Sequence, residues 1–391
     1  MHITICGGGN AAHTLVALLG HREDIHVRVF APYGNEAEQW RLGTAHHGGI
    51  LAHTPQGPVL GRPVRISPYP EDVIPGADIV ILALPAFVHR VTLEAIIPYI
   101  RPQAWLGALP ARNGFLWEVQ DVFKHLGRKP DITVFGLQTL PWACRVRVFG
   151  QEVDVLGTKE IVDIAVWPST HREGIVSTLS HLLGVPLVLV ENFLALGLAD
   201  VGQIIHPGIM YGLFHQWDGT PFIDPPLFYQ GMDEPTAHLL DAMSNEILAI
   251  RGELEQRYPQ RDWRAIRHIG EWIRRTYGRS IQDDSSLHRC FVTNTSYRGL
   301  TAPMKPVDGG FVPDFRARYL TEDVPYGLVV TRGIAEILGV PTPTIDKVIL
   351  WAQGKMHKEY LRDGKLNGKD LQSTRAPQRY GEGALEMVVE R

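Results

Sequence analysis

The sequence predicts an α/β domain with a doubly wound parallel sheet, followed by an all-α, helical C-terminal domain. Three observations predict it. The chain opens on a strand, a glycine turn and a helix; apolar strands alternate with helical segments over the first half; and beyond Asn192 strand signals give way to helices. A chain of 391 residues has room for two cores, and the change of pattern sets the expected division at 1–190 and 191–391.

The first element is the apolar, β-forming run 1–6. Gly7-Gly8-Gly9-Asn10-Ala11-Ala12-His13 follows it, and residues 14–20 have helical apolar spacing ending on a glycine. Gly7 permits the sharp turn, Gly9 lets backbone approach a pyrophosphate, and Ala12 lets helix and strand pack closely. The free N–H groups and positive dipole end of the helix, at Asn10 and Ala11, then face the anion. This is the dinucleotide cradle of a Rossmann domain. Residues 26–30 read as the second strand, after which a ribose-binding acid is expected. Ala31-Pro32-Tyr33 stands there instead; the nearest acid is Glu36, and no arginine follows to receive a 2′-phosphate. On these residues the cofactor is NADH or NADPH.

Residues 77–85, 104–110 and 131–136 are further buried strands, with helices at 88–97 and 114–126 between them. Ligands gather at the carboxyl ends of such strands. That singles out Leu84-Pro85-Ala86-Phe87, Pro110-Ala111-Arg112-Asn113-Gly114 and Leu137-Gln138-Thr139-Leu140-Pro141-Trp142, each otherwise a plain βα turn. Pro85 and Phe87 fall on the cofactor side of this set. Residues 153–157 and 164–166 are expected to extend the sheet at an edge, and a helix at 174–183 with a strand at 185–190 to close the domain.

In the second half, residues 193–205 are apolar with helical spacing, interrupted by His206-Pro207. Proline places His206 at a kink or at a helix start with Pro207 in the first helical position. At a helix start the dipole would favour a neutral imidazole base; otherwise His206 is a satisfied histidine in a helix break. The proline-rich stretch 221–230 is a loop packing Phe222, Phe228 and Tyr229, and 234–250 is an amphipathic helix. Arginines at 251–279 are interspersed with acids, which describes a solvated face; Trp272 within it is a core aromatic or a pocket wall. Residues 301–315 read as a loop, leading through Arg318-Tyr319-Leu320-Thr321-Glu322-Asp323 into an apolar helix. Asp323 is placed to be an N-cap and Arg318 to hold a surface carboxylate.

Composition narrows the classes. Hydrophobic content of 45% and charged content of 20% are those of a globular protein, and a net charge of −4 gives no general attraction to nucleic acid or acidic membranes. No basic-then-apolar leader and no apolar run of about 20 residues are apparent, so the chain is expected to be cytoplasmic and free of membrane. The three cysteines lack metal-ligand spacing and read as reduced core residues; His46-His47 lacks further ligands, and no metal is expected.

The strings Gly7 to Asn10, Thr139 to Arg145, Val155 to Lys159, His206-Pro207, Pro226 to Gly231, Val307 to Gly310, Arg318 to Asp323 and Pro377 to Gly381 lie in order along the chain. Together they resemble the opine dehydrogenases over nearly the whole length. The resemblance implies a Rossmann domain and a helical domain with the active site in the cleft between them. It implies NADH-dependent reductive condensation of a 2-keto acid, typically pyruvate, with an amino acid, the partners being small molecules and the enzyme a monomer or small homo-oligomer. It also implies roles. His206 is the acid/base and Asp323 orients its ring; Arg318 clamps the keto-acid carboxylate; Gln138, Thr139 and Trp272 line the substrate pocket. Arginine-using members carry a glutamate where Gln138 stands, and a neutral glutamine where Arg112 stands. Asp200 and Gly202 also depart from the octopine-forming pattern, although Asp200 is able to restore the missing negative charge. A small or neutral amine, such as alanine, glycine or taurine, is therefore expected in place of arginine. The competing readings are a 2-hydroxy-acid or 2-keto-acid dehydrogenase that needs no amine, and a nucleotide-sensing protein without catalysis.

Overall fold

The computed structural model describes residues 1–170, 172–381 and 383–389. It divides into two compact units, Met1–Leu196 with a short return from Glu386, and Gly197–Leu385.

In the first unit, β1 (His2–Cys6), β2 (His26–Phe30), β5 (Arg65–Ser67), β6 (Ile79–Leu82), β7 (Trp105–Ala108), β8 (Thr133–Leu137), β11 (Val162–Trp167) and β12 (Leu187–Leu189) form one sheet in the order β12-β11-β8-β7-β6-β1-β2-β5. All neighbours run parallel except β11 against β8. Its inner strands are apolar on both faces because helices cover both: Ile5 and Ile81 on one face and Val80 and Leu82 on the other are each at most 1% exposed. Each such side chain contributes roughly 1.5–3 kcal/mol on leaving water. The crossover helices are α1 (Asn10–Leu19), α2 (Glu36–His47), α3 (Pro70–Val73), α4 (His89–Ile96), α5 (Phe115–His125) and α6 (Arg172–Leu183).

One expectation fails here. The segment at 153–157 does not extend the main sheet. It lies in β10 (Glu152–Thr158), which joins β3 (Ile50–Thr54), β4 (Gly57–Gly61) and β9 (Trp142–Val148) in a second sheet, ordered β4-β3-β10-β9. The reason is α1. Its residues from Ala11 to Ala17 are all buried, because it packs against β1 and against all four strands of the second sheet. A helix apolar all round needs that second cover.

The second unit is helical: α8 (Gly202–Phe214), α9 (Glu234–Arg257), α10 (Ile269–Tyr277), α11 (Leu287–Val292), α12 (Arg318–Thr321), α13 (Val329–Leu338) and α14 (Pro343–Met356), entered through α7 (Phe193–Leu198). Residues 301–315 are not all loop. They hold a hairpin, β13 (Met304–Val307) and β14 (Gly310–Pro313), turned by Asp308-Gly309 with Gly309 at φ +86°. A positive φ is what glycine allows there. Pro207 does not start a helix either. It lies inside α8, so His206 is a mid-helix residue and the helix-start dipole argument for it lapses. By length and composition Phe193–Phe214 is apolar enough to cross a membrane, contrary to expectation; 78% of that window is buried within the protein, as in a core helix. Cys6 and Cys290 are buried as expected, but Cys144 is partly exposed.

Candidate active site

The glycine turn lies at the point where the sheet reverses direction. β1 pairs with β2 on one side and β6 on the other, so the loops after β1 and β6 diverge and leave a crevice at their carboxyl ends. Gly7 has φ +129°, and a Cβ there would stand 2.6 Å from the Ala83 carbonyl oxygen. Only glycine fits. Gly9 caps α1 without a side-chain bond, is exposed, and has open space where a Cβ would be. Ala11 and Ala12 are buried in the helix–sheet contact. Pro85 precedes a short helical turn over Ala86–Val88, and Phe87 in that turn is 48% exposed.

Two side chains hold the cradle. Asn10 Oδ1 accepts from the Val146 N–H at 2.8 Å, tying the start of α1 to β9. His13 is buried, and burial pushes its pKa down to about 4, so it is neutral at physiological pH. Its Nε2 accepts from the Gly150 N–H at 2.8 Å, so Nδ1 carries the proton and donates to the Gly9 carbonyl at 3.0 Å.

Glu36 is the acid that the sequence placed too far along. It lies in the first turn of α2, and a Cβ on Gly8 would stand 2.6 Å from its Oε2. That oxygen is buried and has no hydrogen-bond partner among the described residues, and burial raises the pKa of the group. An unpartnered carboxylate oxygen beside the glycine turn fits a vicinal diol, the feature a ribose presents.

The other candidates of this unit sit in loops at carboxyl ends of strands. Arg112 is partly buried at φ +59°, in the turn between β7 and α5. The Gln138 N–H donates to the Asp163 carbonyl at 3.0 Å, and the side chain is half-buried just past β8. Thr139 Oγ1 accepts from Lys159 Nζ at 3.0 Å, and Lys159 also donates to the Leu140 carbonyl at 2.6 Å.

In the helical unit His206 and Asp323 meet. Gly208 and Gly212, one turn apart on α8, leave room for Leu240 and Thr236 of α9. Gly327 does the same for Gln203, where its Cβ would be 2.6 Å away. Gly327 belongs to a widened π-helical turn, Val324–Leu328, in which the Leu328 N–H reaches back five residues to Asp323 at 3.0 Å. Pro325 has no N–H to give, which favours this rearranged ladder. Asp323 stands at the start of that turn yet makes no side-chain cap bond. Its Oδ2 lies 2.8 Å from His206 Nδ1 instead, and the carboxylate side chain is 2% exposed.

The opposite ring nitrogen, Nε2, lies 3.1 Å from Tyr229 Oη. Tyr319 stacks on the imidazole with centroids 4.2 Å apart and planes 8° apart. Tyr229 stacks on Tyr297, Tyr297 tilts against Tyr277 at 5.2 Å, and Trp272 meets Tyr277 edge-on at 5.8 Å. Trp272 is thus joined to His206 by a ladder of rings.

Arg318 pairs with Glu322 one turn on, not with a surface carboxylate. Nε and Nη2 bond Glu322 Oε2 at 2.6 and 2.5 Å; the Glu322 side chain is 1% exposed and that of Arg318 is 55% exposed. The buried acid holds one edge of the guanidinium and leaves Nη1 pointing away from it. Asp200 Oδ1 accepts from the Gly202 N–H at 3.0 Å, at the entry to α8. Tyr229, Tyr319 and Glu322 were given no chemical role from sequence, and Glu36 was noted only as the nearest acid. The Arg-Glu spacing of four residues was a readable signal for Glu322, whereas the tyrosines meet His206 only through the fold.

Residues 189–356 match the family model described as NAD/NADP octopine/nopaline dehydrogenase, alpha-helical domain. The chain is 41% identical to octopine dehydrogenase of Pecten maximus over 99% of its own length and 98% of the relative's. It is also 41% identical to tauropine dehydrogenase of Arabella iricolor, over 99% of both chains. The solved structure of octopine dehydrogenase with NADH and L-arginine superposes with a TM-score of 0.92 at 38% identity, covering 100% of this chain and 98% of that one. With a parallel-sheet Rossmann unit, a helical unit and similarity of this extent, the chain belongs to the opine dehydrogenase family of NAD(P)-dependent oxidoreductases acting on CH–NH donors.

Proposed function

We propose that this enzyme condenses pyruvate reductively with the amino group of a small or neutral amino acid, using NADH. The observation that carries the chemistry is the His206–Asp323 bond at 2.8 Å with Nε2 on the other side of the ring. Arg318 receives the keto-acid carboxylate on its guanidinium edge. His206 takes a proton from the substrate ammonium, freeing the nitrogen lone pair to attack the keto carbon, and returns one to the carbinolamine oxygen, which leaves as water. Asp323 fixes the ring and stabilises the imidazolium formed in between. NADH supplies the hydride that reduces the resulting imine carbon. Gln138, Thr139 and Trp272 are assigned to recognition of the amine.

The choice of amine rests on three residues. Gln138 carries no charge to pair with a guanidinium. Asp200, which is able to replace that charge, has Oδ1 turned to the Gly202 N–H at the entry to α8. Arg112 favours an anionic second substrate over a cationic one. A panel of amines with pyruvate tests this: kcat/KM for alanine, glycine or taurine is expected to exceed that for arginine by about tenfold or more, a difference of one unpaired buried charge. Equal or better turnover with arginine refutes the choice.

Glu36 sets the cofactor. Its buried oxygen accepts from the ribose hydroxyls, and its charge opposes a 2′-phosphate. Glu36→Gln is expected to raise NADPH affinity by about tenfold and to lower NADH affinity by about threefold. Both are read as Kd from nicotinamide fluorescence without turnover. An unchanged ratio of the two constants removes Glu36 from this role.

A further inference from the structure

In this structure the proton-accepting edge of His206 already has a partner. Asp323 can only accept from Nδ1, so that nitrogen carries the ring proton and Nε2 offers a lone pair. The group 3.1 Å from that lone pair is the Tyr229 hydroxyl. Burial, and then the neighbouring Tyr319 phenol, hold the Tyr229 hydroxyl well above the usual phenol range, so it remains an O–H donor through the working pH range. The Tyr229 ring is clamped: it stacks on buried Tyr297 at 4.0 Å and meets Phe228 edge-on at 4.9 Å. Tyr319 stacks on the imidazole and hydrogen-bonds the same hydroxyl. Tyr229 itself stays partly exposed. A fixed phenol therefore stands where an ammonium would have to stand to reach Nε2 directly.

We propose that Tyr229 relays the proton between the amine substrate and Nε2 of His206. The proposal rests on the acid/base reading of His206. In the forward step an ammonium N–H bond breaks and a new O–H bond forms on Tyr229. At the same time the original Tyr229 O–H bond breaks and Nε2–H forms. The phenol is neutral before and after, and the net change is one proton moved from ammonium to imidazole, balanced by its return to the leaving hydroxyl. Tyr319 holds the relay oxygen and shields one face of the imidazole. Among the described residues, the charged and titratable groups facing His206 are Asp323, Tyr229 and Tyr319.

Tyr229→Phe keeps the ring stack and removes only the relay oxygen. It is expected to lower kcat by about 10- to 100-fold with little change in KM for pyruvate or Kd for NADH. The solvent isotope effect, read against deuterium fraction, changes from a two-proton to a one-proton dependence. An unchanged kcat with an unchanged isotope dependence overturns the relay. His206→Ala is run alongside. If it retains turnover, the acid/base reading itself fails; if it is inactive while Tyr229→Phe behaves as wild type, only the relay fails. Should Tyr229→Phe fold poorly, 3,5-difluorotyrosine at position 229 is close in shape with a more acidic phenol. It is expected to shift the kcat–pH profile, and no shift overturns the relay.

Discussion

Replacing His206 by alanine is expected to lower kcat for reductive condensation by about two to four orders of magnitude, the usual contribution of a positioned acid/base. Two side chains hydrogen-bond that imidazole, Asp323 on the Nδ1 side and Tyr229 on the Nε2 side, and each loses that bond in the variant. The cradle proposed for the dinucleotide is built from Gly7, Gly9 and α1 in the other unit, so Kd for NADH is expected to stay within about twofold. Asp323→Asn isolates the second partner. The amide keeps the size and removes the charge that stabilises the imidazolium, so it is expected to reproduce most of the loss in kcat. Turnover of His206→Ala within about tenfold of wild type would place the base elsewhere.

The second large effect falls on Arg318. Its Nε/Nη2 edge is engaged by Glu322, whose side chain is almost wholly buried. Removing the cation outright would strand a buried carboxylate, which is costly on its own. Arg318→Lys avoids that cost, because an ammonium still neutralises Glu322. It cannot present a second planar edge to a carboxylate. KM for pyruvate is expected to rise by about 100-fold with a smaller fall in kcat, which separates substrate clamping from chemistry. A KM within about twofold of wild type would mean that Arg318 serves only to satisfy Glu322.

Much of this was legible in the chain because the signals were local. A glycine turn between an apolar strand and helix needs no knowledge of the rest of the fold, and Gly7 at φ +129° is what such a turn demands. The continuous apolar strands 77–85 and 104–110 likewise announce a sheet covered on both faces. Other features depend on partners far along the chain. The second sheet escaped because β3, β4 and β9 are half-exposed, with polar residues, glycine or proline among the apolar ones. The hairpin at 304–313 hid behind prolines, although Asp308-Gly309 is a turn signal. His206-Pro207 looked like a helix boundary by the rule that proline breaks helices, yet α8 runs through it. Asp323 looked like an N-cap by position and makes no cap bond. Glu36 lay beyond the spacing at which a ribose acid is expected, and only the packing of α2 against the glycine turn brings it to Gly8. Tyr229 sat in a string that matched the family without any local reason to assign it chemistry; the fold supplies the reason at 3.1 Å from Nε2.

In the proposed function, carbon–nitrogen bond formation and hydride transfer are one reaction on this protein. NADH oxidation by the purified chain with pyruvate, measured with and without alanine, addresses it directly. An opine-forming enzyme oxidises NADH only when both are present, and one secondary amine, carrying the carbons of both substrates, accumulates for each NADH consumed. Undiminished oxidation with pyruvate alone, yielding the 2-hydroxy acid, would contradict it.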